Sequence, residues 1–313
     1  MRILLLIAFL ASCFFSYSQQ GFSKEISIVS DNDLYTSAYR DRYYTNGLFI
    51  KYRILGSSKN QKIAKRTYSY SIGHMMYTPY KATLPFASLH DRPFAAYLFS
   101  SFEFNNFYYS QNIFKVELQL GVIGPNAKGE ALQNFIHSIY NYPDAVGWKH
   151  QIHNAFALNL NATYLYNLTK LNSSHFDLNT ISTAKLGTVF TNFSTGLYSR
   201  IGFKELQPLY NSVAFHSNLN KETKSYTESF AYIKPIITYA NYDATIQGSF
   251  LNTDSPVTYE IKPIYFTLEL GYRFYKRRFL YGYSYYFQTK KIKSTRVTNT
   301  NSYGSIYIGY YFN

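Results

Sequence analysis

Strict two-residue alternation in segments of about ten residues constrains this chain most. Between Pro263 and Phe274, Ile264, Phe266, Leu268, Leu270, Tyr272 and Phe274 fall on one face. Tyr265, Thr267, Glu269, Gly271 and Arg273 fall on the other. Ile113 to Val122 repeats the pattern, with Phe114, Val116, Leu118, Leu120 and Val122 opposing Lys115, Glu117, Gln119 and Gly121. Phe279, Tyr281, Tyr283, Tyr285 and Phe287 follow it, as do Ile306, Ile308, Tyr310 and Phe312. A wholly apolar face opposite one that carries Glu269 and Arg273 suits strands with lipid outside and a polar interior.

Composition supports the same reading. The 313 residues include 35 Tyr and 26 Phe, more aromatic surface than a soluble β-sandwich uses, and aromatic girdles account for it. The pattern predicts an all-β fold, a transmembrane antiparallel β-barrel of about 12 strands. Strands are expected near 22–31, 44–54, 67–75, 95–106, 111–122, 150–168, 174–190, 193–203, 228–240, 259–275, 278–292 and 301–312. Phe312, one residue before the end, matches the terminal aromatic of outer-membrane barrels. Side chains should largely fill so narrow a barrel, which excludes a wide pore.

Arg2, the apolar run Ile3–Phe15 and Ser16-Tyr17-Ser18 form a secretory signal over 1–18, leaving 19–313 as the barrel. A lipoprotein signal ending at Cys13 is the alternative, disfavoured by Phe14 and Phe15 behind it. Cys13 is the only cysteine, so the exported chain has neither disulfides nor thiolate metal sites. The net charge of +14 is dispersed apart from Lys290–Arg296, and no nucleic-acid motif accompanies it. Cationic loops facing phosphorylated glycolipid explain the charge, and nucleic acid is excluded as a partner.

One stretch breaks the period. Across 129–141, Leu132, Phe135, Ile136 and Ile139 recur at helical spacing, predicting a short extracellular loop helix packed against the barrel rim. Gln133 and His137 then lie four apart on one side. Histidine at neutral pH can take a proton from an attacking water; the bland alternative is a surface histidine. Asn32 and Asp33 at the end of the first strand suit either a turn or a hard-cation site for calcium. Thr45 on the neighbouring strand could bring its hydroxyl beside Asp33. Asp91 and Arg92 are expected to form an internal polar network, with substrate contact second. The other histidines, among them His74, His90 and His216, show no comparable partners. Gly-x-Ser-x-Gly, His-Glu-x-x-His and phosphate-loop signatures are absent.

These pieces resemble the lipid A 3′-O-deacylase family of Gram-negative outer membranes. The matching runs are Ser30-Asp31-Asn32-Asp33, Asp41-Arg42-Tyr43-Tyr44-Thr45-Asn46-Gly47, Tyr77-Thr78-Pro79 and Asp91-Arg92-Pro93-Phe94-Ala95-Ala96-Tyr97-Leu98. Gly121-Val122-Ile123-Gly124-Pro125, Gln133-Asn134-Phe135-Ile136-His137 and Gly147-Trp148-Lys149-His150-Gln151-Ile152 continue the match, which spans roughly 25–155. The resemblance implies a twelve-stranded, monomeric outer-membrane enzyme that hydrolyses the 3′-linked acyloxyacyl ester of lipid A in lipopolysaccharide. His137 would be the base and Gln133 its neighbour. Asn32, Asp33 and Thr45 would shape the oxyanion region, with Asn32 and Asp33 as calcium ligands. Two departures stand out. A lysine that the family carries after Tyr77-Thr78-Pro79 has Lys81 as its nearest counterpart, and Ala155 replaces an acidic residue. The alternative is a non-enzymatic barrel, either a small channel or a surface-interaction protein. An outer-membrane phospholipase is a further rival, lacking a convincing serine.

Overall fold

The computed structural model describes residues 21–36, 42–220 and 226–313, without the side chains of Tyr140 and Thr169. The expected signal over 1–18 and the Cys13 alternative lie outside the described residues.

Twelve strands form one closed antiparallel barrel. They are β1 Lys24–Asn32, β2 Tyr43–Gly56, β3 Ile63–Thr78, β4 Ala95–Tyr108, β5 Ile113–Ile123 and β6 Ala155–Asn167. The remainder are β7 Phe176–Gly187, β8 Phe190–Gly202, β9 Thr227–Asp243, β10 Ile264–Lys276, β11 Phe279–Thr289 and β12 Thr300–Phe312. Each strand pairs with its chain neighbours, and β1 meets β12 from Lys24↔Phe312 to Asn32↔Gly304, so no sheet edge is left open to lipid. No helix among the described residues is long and apolar enough to cross a membrane; the strands do the crossing.

Alternation divides the wall as expected. Ile50 and Ile72, paired across β2 and β3, point outward, and Ile72 is 62% exposed. Inward, Arg53 and Glu25 form a buried ion pair at 2.5 Å, and Lys234 meets Glu269 at 2.9 Å. Lys24 at the start of β1, Phe312 at the end of β12 and most short turns share one end of the barrel, which is the periplasmic end in such proteins; the long loops 79–94, 124–154 and 244–263 are at the other.

Three features depart from what the sequence implied. The segment after β8 folds into the periplasmic end as a plug, burying Leu209, Val213 and Leu219 against Phe107, Tyr198 and Phe230. Arg200 locks it in place. Its guanidinium holds Asp177 at 2.5 Å, the Ser212 hydroxyl at 2.6 Å and Glu228 at 3.3 Å. His216, assigned no partner from sequence, stacks on Tyr307 at 4.8 Å and lies 3.5 Å from Glu25. The extracellular half of the lumen is not filled by side chains and holds a cavity of about 520 Å³.

Candidate active site

The helix expected over 129–141 forms as α1, Gly129–Tyr140. It ends at Asn141 in the left-handed conformation, a common helix stop. The Gly129 position is forced, because a Cβ there would lie 2.6 Å from Ala96 Cβ and 2.4 Å from the Trp148 ring. Leu132, Ala127 and Lys128 line one groove with Leu48, Ile50, Ile72, His74 and Leu98. Those strand residues alternate outward, so α1 is clamped to the outer wall of the barrel over β2, β3 and β4.

Its amphipathicity is the reverse of a soluble helix. Gln133 and His137 are buried, at 2% and 6% exposure, whereas Phe135 and Ile139 are 62% and 61% exposed. The helical period of the apolar residues was read correctly, but Phe135 and Ile139 face away from the protein. Outside a barrel wall the surrounding medium is lipid, so an apolar side chain need not be hidden and a polar pair must be.

The polar pair is held by the chain that follows the helix. Trp148, fully buried against Phe94 at 5.0 Å between ring centres, donates its indole N–H to Gln133 Oε1 at 2.5 Å. Gln133 Nε2 is buried with no partner among the described residues. His137 Nδ1 lies 2.6 Å from the Pro143 carbonyl oxygen. A carbonyl can only accept, so this contact puts the proton on Nδ1 and leaves Nε2 of the neutral ring with a lone pair. Asn134 Oδ1 accepts the Ala145 N–H at 2.9 Å and ties the same loop down.

Asn32, Asp33 and Thr45 stand at the extracellular ends of β1 and β2. A register shift between Tyr44 and Asn46 makes Thr45 the bulged residue of β2. Tyr44 consequently turns inward, donating to Asp31 at 2.8 Å, and the buried Thr45 hydroxyl meets that of Thr78 at 2.5 Å. Thr78 is two residues beyond Met76 on the outward face of β3. Met76 packs in one buried cluster with Ala96 and Trp148, which links the strand rim to the helix pair. Asn32 accepts the Leu34 N–H at 2.7 Å, so its turn-forming reading holds. Asp33 is buried, and its Oδ2 accepts the Arg42 N–H at 2.5 Å.

For calcium, Asp33 and Asn32 offer the right donor type, a buried carboxylate and an amide oxygen. Among the described residues no three His, Cys, Asp or Glu side chains gather as a metal cluster, so further ligands would be hydroxyls, carbonyls or waters. Asp91 and Arg92 are buried, and the network expected between them runs through hydrogen bonds to other residues rather than to each other. Asp91 accepts the Tyr43 hydroxyl and the Tyr80 N–H, each at 3.0 Å. Arg92 lies over the Tyr77 ring at 4.7 Å and donates to the Thr245 carbonyl at 3.1 Å. Lys81 sits over Tyr80. Nearby, His90 hydrogen-bonds the Leu84 carbonyl at 2.9 Å, and burial pushes its imidazole below the usual value. Sequence reasoning gave no role to Thr78 or Trp148, although both stand in the quoted runs Tyr77-Thr78-Pro79 and Gly147-Trp148.

The closed strand circuit, outward apolar face and inward ion pairs define a bacterial outer-membrane β-barrel protein. A family profile, "Outer membrane protein LpxR", matches residues 3–312, and the chain belongs to that family. Among solved structures it is similar to LpxR from Salmonella typhimurium, with TM-score 0.73 and 19% identity over 92% of this chain and 100% of that one. The β domain of the Bordetella autotransporter BrkA also aligns, over 94% of this chain and 99% of that one, with TM-score 0.46 and 9% identity. No curated protein sequence matches.

Proposed function

We propose that this protein is a lipid A 3′-O-deacylase, a monomeric carboxylic ester hydrolase acting from the outer leaflet on lipopolysaccharide. The burial of Gln133 and His137 against the lipid-facing wall carries the reading, because a barrel that only seals or conducts has no use for a polar pair there.

His137 takes a proton from water on Nε2, and the resulting hydroxide attacks the ester carbonyl carbon. The tetrahedral intermediate collapses by breaking the bond to the 3′ oxygen, which recovers the proton from His137. A free acyloxyacyl acid and a 3′-hydroxyl remain. The Pro143 contact holds the ring in the required tautomer. Gln133, fixed through Trp148, keeps its amide N–H donors at the site, and Thr45 with Thr78 shapes the oxyanion region. Asp33 and Asn32 would hold calcium, which when bound supplies positive charge beside a developing oxyanion.

Expressing the wild type in cells with 3′-acylated lipid A and weighing the lipid A by mass spectrometry tests the proposal. Loss of the 3′ acyloxyacyl mass supports it. An unchanged acyl number with calcium present overturns it and leaves the non-enzymatic barrel.

A further inference from the structure

We infer that the extracellular half of the lumen is a binding site for a phosphorylated monosaccharide. This chamber is separate from the His137 site, on the other side of the wall. Its volume, about 520 Å³, is in the range of small-ligand pockets. The plug held by Arg200 closes it from below, so it is not a stretch of open channel.

Three observations set the ligand chemistry. First, the charges lining the chamber do not balance locally. Among the described residues Lys51, Lys185, Lys290 and Lys291 line it without any ion pair. Of the four described carboxylates on the same wall only Glu269 is ion-paired, to Lys234, and the wall carries six basic side chains, Arg92 and Lys234 included, against those four acidic ones. Asp31 accepts from Tyr44, Glu117 from Asn161, Asp243 from Thr245, and Glu269 from Lys234 and Tyr232. The excess of positive charge on this enclosed wall favours an anion.

Second, the amide oxygens of Asn192 and Asn301 line the chamber buried and without a hydrogen-bond partner. The ionised oxygens of a phosphate cannot donate to them, whereas the several hydroxyls of a sugar can. Third, the wall supplies flat aromatic faces. Tyr286 and Tyr303 stack with centres 4.5 Å apart, and Lys291 lies over Tyr265 at 4.6 Å, which fixes its ammonium against the wall. Unpaired cations, unused acceptors and aromatic platforms together match a polyhydroxylated anion of single-sugar size.

Equilibrium dialysis of the whole detergent-solubilised barrel against glucose 6-phosphate, glucose and inorganic phosphate tests the inference. We expect saturable binding of glucose 6-phosphate, with glucose and phosphate each about tenfold weaker or more. Lys185→Gln combined with Lys291→Gln should weaken binding by about tenfold or more while heat-modifiable gel migration still reports a folded barrel. Absence of saturable binding, or binding untouched by the double substitution, overturns the site. Phosphate binding as tightly as the sugar phosphate overturns the saccharide assignment. The readout is binding, so its failure is distinct from failure of the deacylase proposal.

Discussion

The Trp148 indole N–H meets Gln133 Oε1 at 2.5 Å, inside a cluster that also contains Met76 from β3 and Ala96 from β4. Through that bond the loop returning to β6 fixes the helix side chain, and His137 stands one turn farther along α1. The site therefore depends on three separated pieces of chain, with a single indole at their junction.

Replacing His137 with Ala should lower lipid A deacylation by roughly 10²–10⁴-fold, the usual worth of a general base. Acyl number by mass spectrometry against time measures it, and heat-modifiable migration controls for folding. Equal activity in the variant would remove His137 as the base.

Gln133→Leu leaves the Trp148 indole N–H without its acceptor in a buried place, at a cost of about 1–3 kcal/mol. Trp148 is the only tryptophan, so emission under tryptophan-selective excitation reports on the surroundings of this one indole. A shifted emission maximum and activity reduced by about tenfold or more are expected. Unchanged emission would mean that the bond does not form in the membrane.

Calcium, if held by Asp33 and Asn32, should raise the unfolding temperature in proportion to its logarithmic concentration, since it binds the folded state. Chelation should abolish both that increment and hydrolysis. Asp33→Asn should remove the increment even where residual activity is unmeasurable. A wild-type unfolding temperature indifferent to calcium would rule the ion out.

Arg200→Met strips the buried Asp177 and Glu228 of their shared cation, a change of about 3–5 kcal/mol for a broken buried pair. The plug should loosen and the variant should conduct ions in planar bilayers where the wild type does not. A closed variant would show that apolar packing around Leu209 and Val213 suffices.

Burial, reinforced by Arg53, pushes the His216 imidazole down to about 4, against the opposing pull of Glu25. At neutral pH the 3.5 Å contact with Glu25 is thus not an ion pair. A lowered folded value means that the unfolded chain binds the proton more readily. The contribution is fully present above the ordinary histidine value of about 6.5 and declines as pH falls toward about 4. The unfolding temperature of the wild type should drop across that window, and His216→Asn should flatten the drop.

The twelve strands were legible because period two survives wherever one face meets lipid and the other water. Both Ile264–Phe274 and Phe279–Phe287 lie where alternation put them. The helix was legible as a break in that period, and Gln133 and His137 share its buried side as their spacing required. Which side of α1 is buried was not, because Phe135 and Ile139 have the pattern of a water-soluble helix while the surrounding medium is lipid. The plug escaped notice since 203–226 has no period at all. Thr78 and Trp148 escaped for another reason: one gains its partner through a bulge, the other through the return path of a long loop, and neither is visible in spacing.

A helix clamped outside the wall with Phe135 and Ile139 turned away would also set the kinetics of the proposed hydrolysis. Catalyst and ester would share one two-dimensional phase, so the quantity governing turnover would be the mole fraction of substrate in the leaflet, not its bulk molarity. Diluting the membrane with inert lipid should slow the reaction, and diluting the suspension with buffer should not.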